Sequence, residues 1–155
     1  MRKKLSAALA MLCILLPVLA GCQTKTQTVM KTEVKTDDYI LEHYVQNLDT
    51  VMDNTYERTY PTEVRNGVEV GGAGPSDPTY YGIIHITEKE GKELMEKYEW
   101  TLNDSELPDM QQIVYDVHAD WYASEDFSKD TFKLVLVDAA FFDGKNTIIY
   151  KIRRI

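Results

Sequence analysis

The chain has 155 residues, with 17 Lys and Arg against 25 Asp and Glu, three histidines and two cysteines. All of Arg2, Lys3 and Lys4, and no acid, fall in the first 21 residues, so the remainder carries about 14 bases, 25 acids and a net charge near −11. A surface that acidic is repelled by phosphate backbones and by anionic lipid, which speaks against a nucleic-acid partner.

The N-terminus sets Arg2, Lys3 and Lys4 before an apolar run over 5–19, then Ala20 and Gly21 before Cys22. That is the basic region, apolar region and small-residue cleavage site of a secretory signal. The apolar run is shorter than the ~20 residues of a spanning helix, and Pro17 interrupts it. Leu19-Ala20-Gly21-Cys22 resembles the lipobox of bacterial lipoproteins. The resemblance covers residues 1–22 only. It implies cleavage between Gly21 and Cys22, a diacylglyceryl and palmitate-bearing Cys22, and an extracytoplasmic protein held to a membrane by lipid. Gln23 is not the Asp of an inner-membrane retention signal, which implies the outer membrane in a diderm host. In a monoderm host the same anchor implies the outer leaflet of the single membrane.

Residues 22–36, rich in Thr, Lys and Gln, read as the lipidated Cys and a flexible tether. Residues 37–155 are enough for one domain with one core. Cys13 leaves with the signal and Cys22 is consumed by lipid, so this domain has no thiol. That excludes a Cys nucleophile, a Cys-ligated zinc and a disulfide scaffold.

Ile40, Tyr44, Leu48, Met52 and Tyr56 recur every fourth residue and predict a helix over 37–56, facing the core. Asn66-Gly67 between Val64 and Val68 predicts a tight hairpin. Residues 71–78 read as a loop and 80–86 as a strand. Thr87 and Glu90 form a capping box opening a helix to about Tyr98, in which Gly91 suggests close packing. Residues 110–122 fit a helix or a strand; the alternation of Ile113, Tyr115, Val117, Ala119 and Trp121 favours the strand. Residues 124–130 read as a short helical turn or a loop. Residues 132–142 and 147–155 read as a hairpin across Asp143-Gly144-Lys145-Asn146, with the apolar 134–137 making the first strand central. The expected fold is α+β: a mostly antiparallel sheet with two helices packed on one face, in a single small domain. The part from Thr87 onward has the helix-then-meander order that PepSY modules also show. Their Ala-rich helix start and Asp-x-x-Thr-Gly end are absent, and that family is not assigned.

On a strand, Asp116, His118 and Asp120 would share one face, with oxygen and nitrogen donors suited to Zn²⁺ or Mn²⁺. The plainer reading is a solvated face, and no metal or other cofactor is assigned. The glycines at 71–74 lack the spacing of a nucleotide loop, no Gly-x-Ser-x-Gly occurs, and no acidic loop fits a calcium pattern. Tyr80, Tyr81, Trp100, Trp121 and Tyr122 are candidates for an aromatic recognition surface, against half-buried strand packing. No residue is assigned as catalytic. The expected role is therefore non-enzymatic: a lipid-anchored module binding an envelope protein or peptide. The alternatives are a metal-dependent hydrolase on the Asp116/His118/Asp120 face and an acidic inhibitor or immunity-type protein.

Overall fold

In a computed structural model the described residues are 25–72, 77–133 and 136–153. Cys22 and the signal lie outside them. Among them are eight strands and three short helices forming one small domain. β1 (Thr26–Lys35), β2 (Val51–Arg65), β3 (Val68–Gly72), β4 (Thr79–Ile86), β5 (Thr101–Leu102), β6 (Tyr122–Ala123), β7 (Leu136–Phe142) and β8 (Thr147–Arg153) form one sheet. Its order is β1-β2-β4-β8-β7-β6-β5, with β3 paired to β2 beyond the end of β4, and every pairing is antiparallel. The helices are α1 (Tyr39–Tyr44), α2 (Glu88–Lys97) and α3 (Glu125–Thr131).

Local signals hold where they close short rings. Asn66 and Gly67 both have positive φ, as a two-residue hairpin loop with this twist requires, and join β2 to β3. Thr87 caps α2 by accepting from the Glu90 N–H. Glu90 does not return to the Thr87 N–H, as the full capping box requires. Its carboxylate instead accepts from the Asp49 N–H at 3.1 Å and the Thr50 hydroxyl at 2.9 Å. Gly91 packs so tightly on the β7–β8 turn that a Cβ would sit 1.7 Å from the Lys145 carbonyl oxygen. Ser124 caps α3 through the Phe127 N–H. Asp143 accepts from the N–H groups of Lys145, Asn146 and Thr147 and so closes the β7–β8 hairpin.

Four expectations are corrected. The 37–56 helix is only α1, six residues long. Val45 is already extended and bridged to Phe132, Asn47 is left-handed, and Glu90 ties down Asp49 and Thr50 before β2 starts. A spacing of four is also twice the strand period, so Met52 and Tyr56 did not discriminate. Met52 falls in a bulge and is exposed, while Tyr56 is buried. Within the expected tether, Thr26–Lys35 is the edge strand β1, matched residue for residue to β2 from Arg65 to Tyr56. The 110–122 strand is a loop except for Tyr122, which opens β6. β7 lies between β8 and β6 but is less central than expected, since only Phe141 and Phe142 have a partner in β6, and Leu134 and Val135 lie outside the described residues.

The two faces of the sheet bury different cores. One cluster joins Ile40, Tyr44, Tyr80, Ile84, Leu94, Tyr98, Phe127, Phe142, Ile148, Tyr150 and Ile152 with their neighbours. Within it the Tyr150 ring lies across Gly82, its cross-strand partner, where a Cβ would meet the phenol at 2.3 Å. Its hydroxyl donates to Asn54 Oδ1 at 3.0 Å. The other cluster is Ile83, Trp121, Phe141 and Ile149, under the loop of residues 103–121. Pro61 has no N–H to give. It falls between the part of β2 paired to β4, ending at Thr59, and the part paired to β3, starting at Thr62.

Candidate functional site

The loop over 103–121 has almost no backbone ladder of its own, so its polar groups must find other partners. One buried side chain takes three of the loop's N–H groups. Glu57, in the middle of β2 and 1 % exposed, accepts from the N–H groups of Gln111, Gln112 and Ile113. Alternation along β2 turns Glu57 away from Tyr56 and Arg58 and toward this loop. Trp121 anchors the other end. Its indole N–H donates to the Asp116 carbonyl at 2.9 Å, and its ring meets that of Tyr115 edge-on at 5.8 Å. The Tyr115 hydroxyl donates to the Pro108 carbonyl at 2.7 Å. Burial, and then the charge of Asp109, push the Tyr115 phenol up.

Held in this way, the loop encloses an open groove of about 700 Å³. Leu102, Leu107, Tyr115, Val117 and Trp121 line it with apolar surface, and Asp104, Glu106, Asp109 and Asp120 line it with carboxylates. No lysine or arginine is among the lining residues. The groove is thus concave, of one charge sign and apolar in part, which suits recognition of a cationic, partly apolar partner.

The candidate metal residues lie in this loop but do not share a face, because the strand that would align them is absent. The Asp116 carboxylate accepts from the His118 N–H at 2.9 Å, a local turn contact. Only Asp120 of the three lines the groove. Among the described residues no three His, Cys, Asp or Glu converge as a metal site would need. The histidines are scattered: His43 Nδ1 lies 2.9 Å from the Tyr39 carbonyl, and His85 Nδ1 lies 2.6 Å from Asp53 Oδ1 across β2 and β4.

The aromatic candidates do not form one surface either. Tyr80 is buried in the larger core, and Trp100 packs against that core with its N–H on the Leu94 carbonyl. Tyr81, on the opposite face of β4, carries the Lys151 ammonium 5.6 Å from its ring centroid. Tyr122 lies against Gly144. Trp121 alone lines the groove, and Tyr115, which sequence reasoning left out of the set, joins it there. Glu57 was missed as well. Its partners are more than 50 residues away, and nothing in a Tyr-Glu-Arg stretch of a strand announces them. No helix among the described residues is long and apolar enough to cross a membrane. Comparison with protein-family models, with curated proteins and with solved structures finds no match.

Proposed function

We propose that this protein is a lipid-anchored, extracytoplasmic binding module without catalytic activity, and that its groove takes a basic, partly apolar peptide segment of another envelope component. The supporting observation is the groove itself: four carboxylates beside an apolar floor, with no cation among the lining residues. A cleft of one sign attracts its partner at a distance and fixes its orientation on arrival. The acidic-inhibitor alternative uses the same chemistry with a folded basic protein as the partner. The test is a peptide panel of matched length in which Lys and Arg are exchanged stepwise for Glu, Gln or Ser around a Leu and Tyr core. Binding that rises with positive charge, weakens with salt and falls in Asp109→Asn and Asp120→Asn supports the groove. Equal binding of acidic and basic members overturns it.

The anchor rests on the resemblance of Leu19 to Cys22 to a lipobox. β1 begins at Thr26, so a lipid on Cys22 would hold that end of the sheet within a few residues of the bilayer rather than on a long tether. Mass spectrometry of the native N-terminus tests this. An intact 1–22 segment, or an unmodified Cys22 after cleavage, overturns it. We also read the helices as one layer on the sheet face that bears Ile84, Ile148 and Tyr150, because Ile40, Leu94 and Phe127 belong to the same core cluster.

A further inference from the structure

A second cavity lies away from the groove, where the chain leaves β1 for α1. It measures about 260 Å³ and is lined by Lys35, Asp37, Tyr39, Tyr56, Arg58 and Tyr80. That is just below the roughly 300–1,000 Å³ of typical small-molecule pockets, so it suits a correspondingly small ligand. Register explains its composition. Lys35 stands opposite Tyr56 across β1 and β2, and Arg58 stands opposite Tyr80 across β2 and β4. Side chains of directly opposed residues share a face.

Arg58 is the anomaly. In a chain with a large acidic excess, no carboxylate among the described residues lies within ion-pair distance of it. Its guanidinium lies instead over the Tyr60 ring, whose centroid is 4.7 Å from the guanidinium carbon. Its Nε is buried with no hydrogen-bond acceptor. A desolvated donor left unmatched is unfavourable, and a guanidinium is shaped to take a carboxylate on two parallel N–H bonds. The nearby Glu33 is spent elsewhere, on Lys31 at 3.2 Å, Lys35 at 3.7 Å and the Tyr60 hydroxyl at 2.9 Å. Asp37 supplies the opposite charge on the same wall. One of its oxygens accepts from the Tyr56 hydroxyl at 2.6 Å and the Tyr39 N–H at 3.2 Å, which fixes the carboxylate. Burial chiefly keeps the Tyr56 and Tyr80 phenols protonated, so the walls between the two charges are neutral rings.

We propose that this cavity binds a small zwitterion of free amino-acid size, with its carboxylate on Arg58 and its ammonium toward Asp37. Lys35 assists at the rim, and the tyrosine rings take the side chain. A zwitterion also avoids the repulsion that the protein's net negative charge imposes on a simple anion. The site shares no residue with the groove, so its test is independent of the peptide-binding reading.

Calorimetry on the full chain in detergent micelles, with alanine, phenylalanine, propionate, ethylamine and inorganic phosphate as probes, decides it. The expected result is saturable binding of alanine or phenylalanine, with propionate weaker by about tenfold for want of the ammonium contact. Arg58→Gln should weaken amino-acid binding by about tenfold or more, since it removes a charge-assisted pair. Asp37→Asn keeps an acceptor for Tyr56 and should erase the preference for alanine over propionate. Should Arg58→Gln fail to fold, Lys35→Gln at the exposed rim should still weaken binding by about threefold, as a screened charge does. No saturable binding of either amino acid, undiminished binding in the folded Arg58→Gln protein, or phosphate binding tighter than alanine would each overturn the proposal.

Discussion

The two faces of the sheet are covered by different means. On one, Ile84, Phe142, Ile148 and Ile152 belong to a large apolar cluster that also holds Ile40, Leu94 and Phe127. On the other, Ile83, Trp121, Phe141 and Ile149 are the buried residues, and the cover is a loop held by the Glu57 carboxylate. The first face is stabilised by apolar area, which scales with the surface removed from water. The second depends on a few directed bonds, and segments with few apolar contacts open at lower free energy than the core. The proposed peptide groove lies on the second face. Binding loops are commonly drawn from that low-stability end, because a partner must be able to move them.

The largest effect should come from breaking the first face. Phe142 is fully buried and touches Trp100 and the α2 side of the core. Phe142→Ala removes about 3–5 kcal/mol, as truncation of a buried aromatic does. Chemical denaturation should show one transition shifted for the whole domain. Glu57→Gln should come next and act differently. It keeps the shape but removes the charge that three N–H groups share, at about 1.5–3 kcal/mol for hydrogen bonds to an ionised acceptor. The check is amide exchange: Gln111, Gln112 and Ile113 should lose protection far more than Ile148 or Ile149. Equal loss at all five would mean that the two faces form one cooperative unit.

How much of this could be read in advance follows the same division. The Asn66-Gly67 turn, the Thr87 start and the Asp143 hairpin were legible because each is settled within a few residues. β1 was not. It is an edge strand largely open to water, so it shows no apolar alternation, and only its Thr and Val content hinted at β structure. The 110–122 segment misled for the opposite reason. Ile113, Tyr115, Ala119 and Trp121 do turn inward, but Gln111 to Ile113 spend their backbone donors on Glu57 rather than on a neighbouring strand. An alternating pattern reports which side chains are buried, not what their backbone pairs with. Of the groove, Trp121 was among the candidates for a recognition surface, and Asp120 was weighed only as a metal ligand.

Raising the pH should separate the faces chemically. Tyr56, Tyr80, Tyr98 and Tyr150 belong to the larger cluster, and burial is the leading cause that raises each phenol above its ordinary value of 10.0. On the loop face, burial likewise raises Tyr115. The neutral phenol is favoured in the folded state, so below about pH 10 these groups give their full contribution. Above that the unfolded chain ionises first, and stability falls as pH climbs toward the folded values. The phenolate absorbance of these buried groups should therefore appear only together with loss of structure, after that of the accessible tyrosines. Tyr150→Phe should make the alkaline decline shallower, at a cost near pH 7 of about 1 kcal/mol for the bond to Asn54. Full phenolate absorbance from all ten tyrosines while the fold stays intact would contradict the buried assignment.

The smallest effect sharpens the comparison most, because it asks whether exposure or position decides the loop's role. Val114 and Val117 sit three residues apart in the same loop, and both are exposed, Val114 at 93 % and Val117 at 56 %. Neither is part of a core cluster, so Val→Ser at either should change stability by less than about 0.5 kcal/mol, as surface changes do. They differ in one respect: Val117 lines the groove and Val114 does not. If a peptide lies there, its apolar side chains would cover Val117, at about 25 cal/mol per Å² of apolar surface removed from water. Val117→Ser should therefore weaken the basic-apolar peptides two- to fivefold, by the roughly tenfold per 1.4 kcal/mol relation, and Val114→Ser should leave them unchanged. A loop serving only as a cover for Ile149 and Phe141 would make the two substitutions indistinguishable, and the groove would then have no claim to a function.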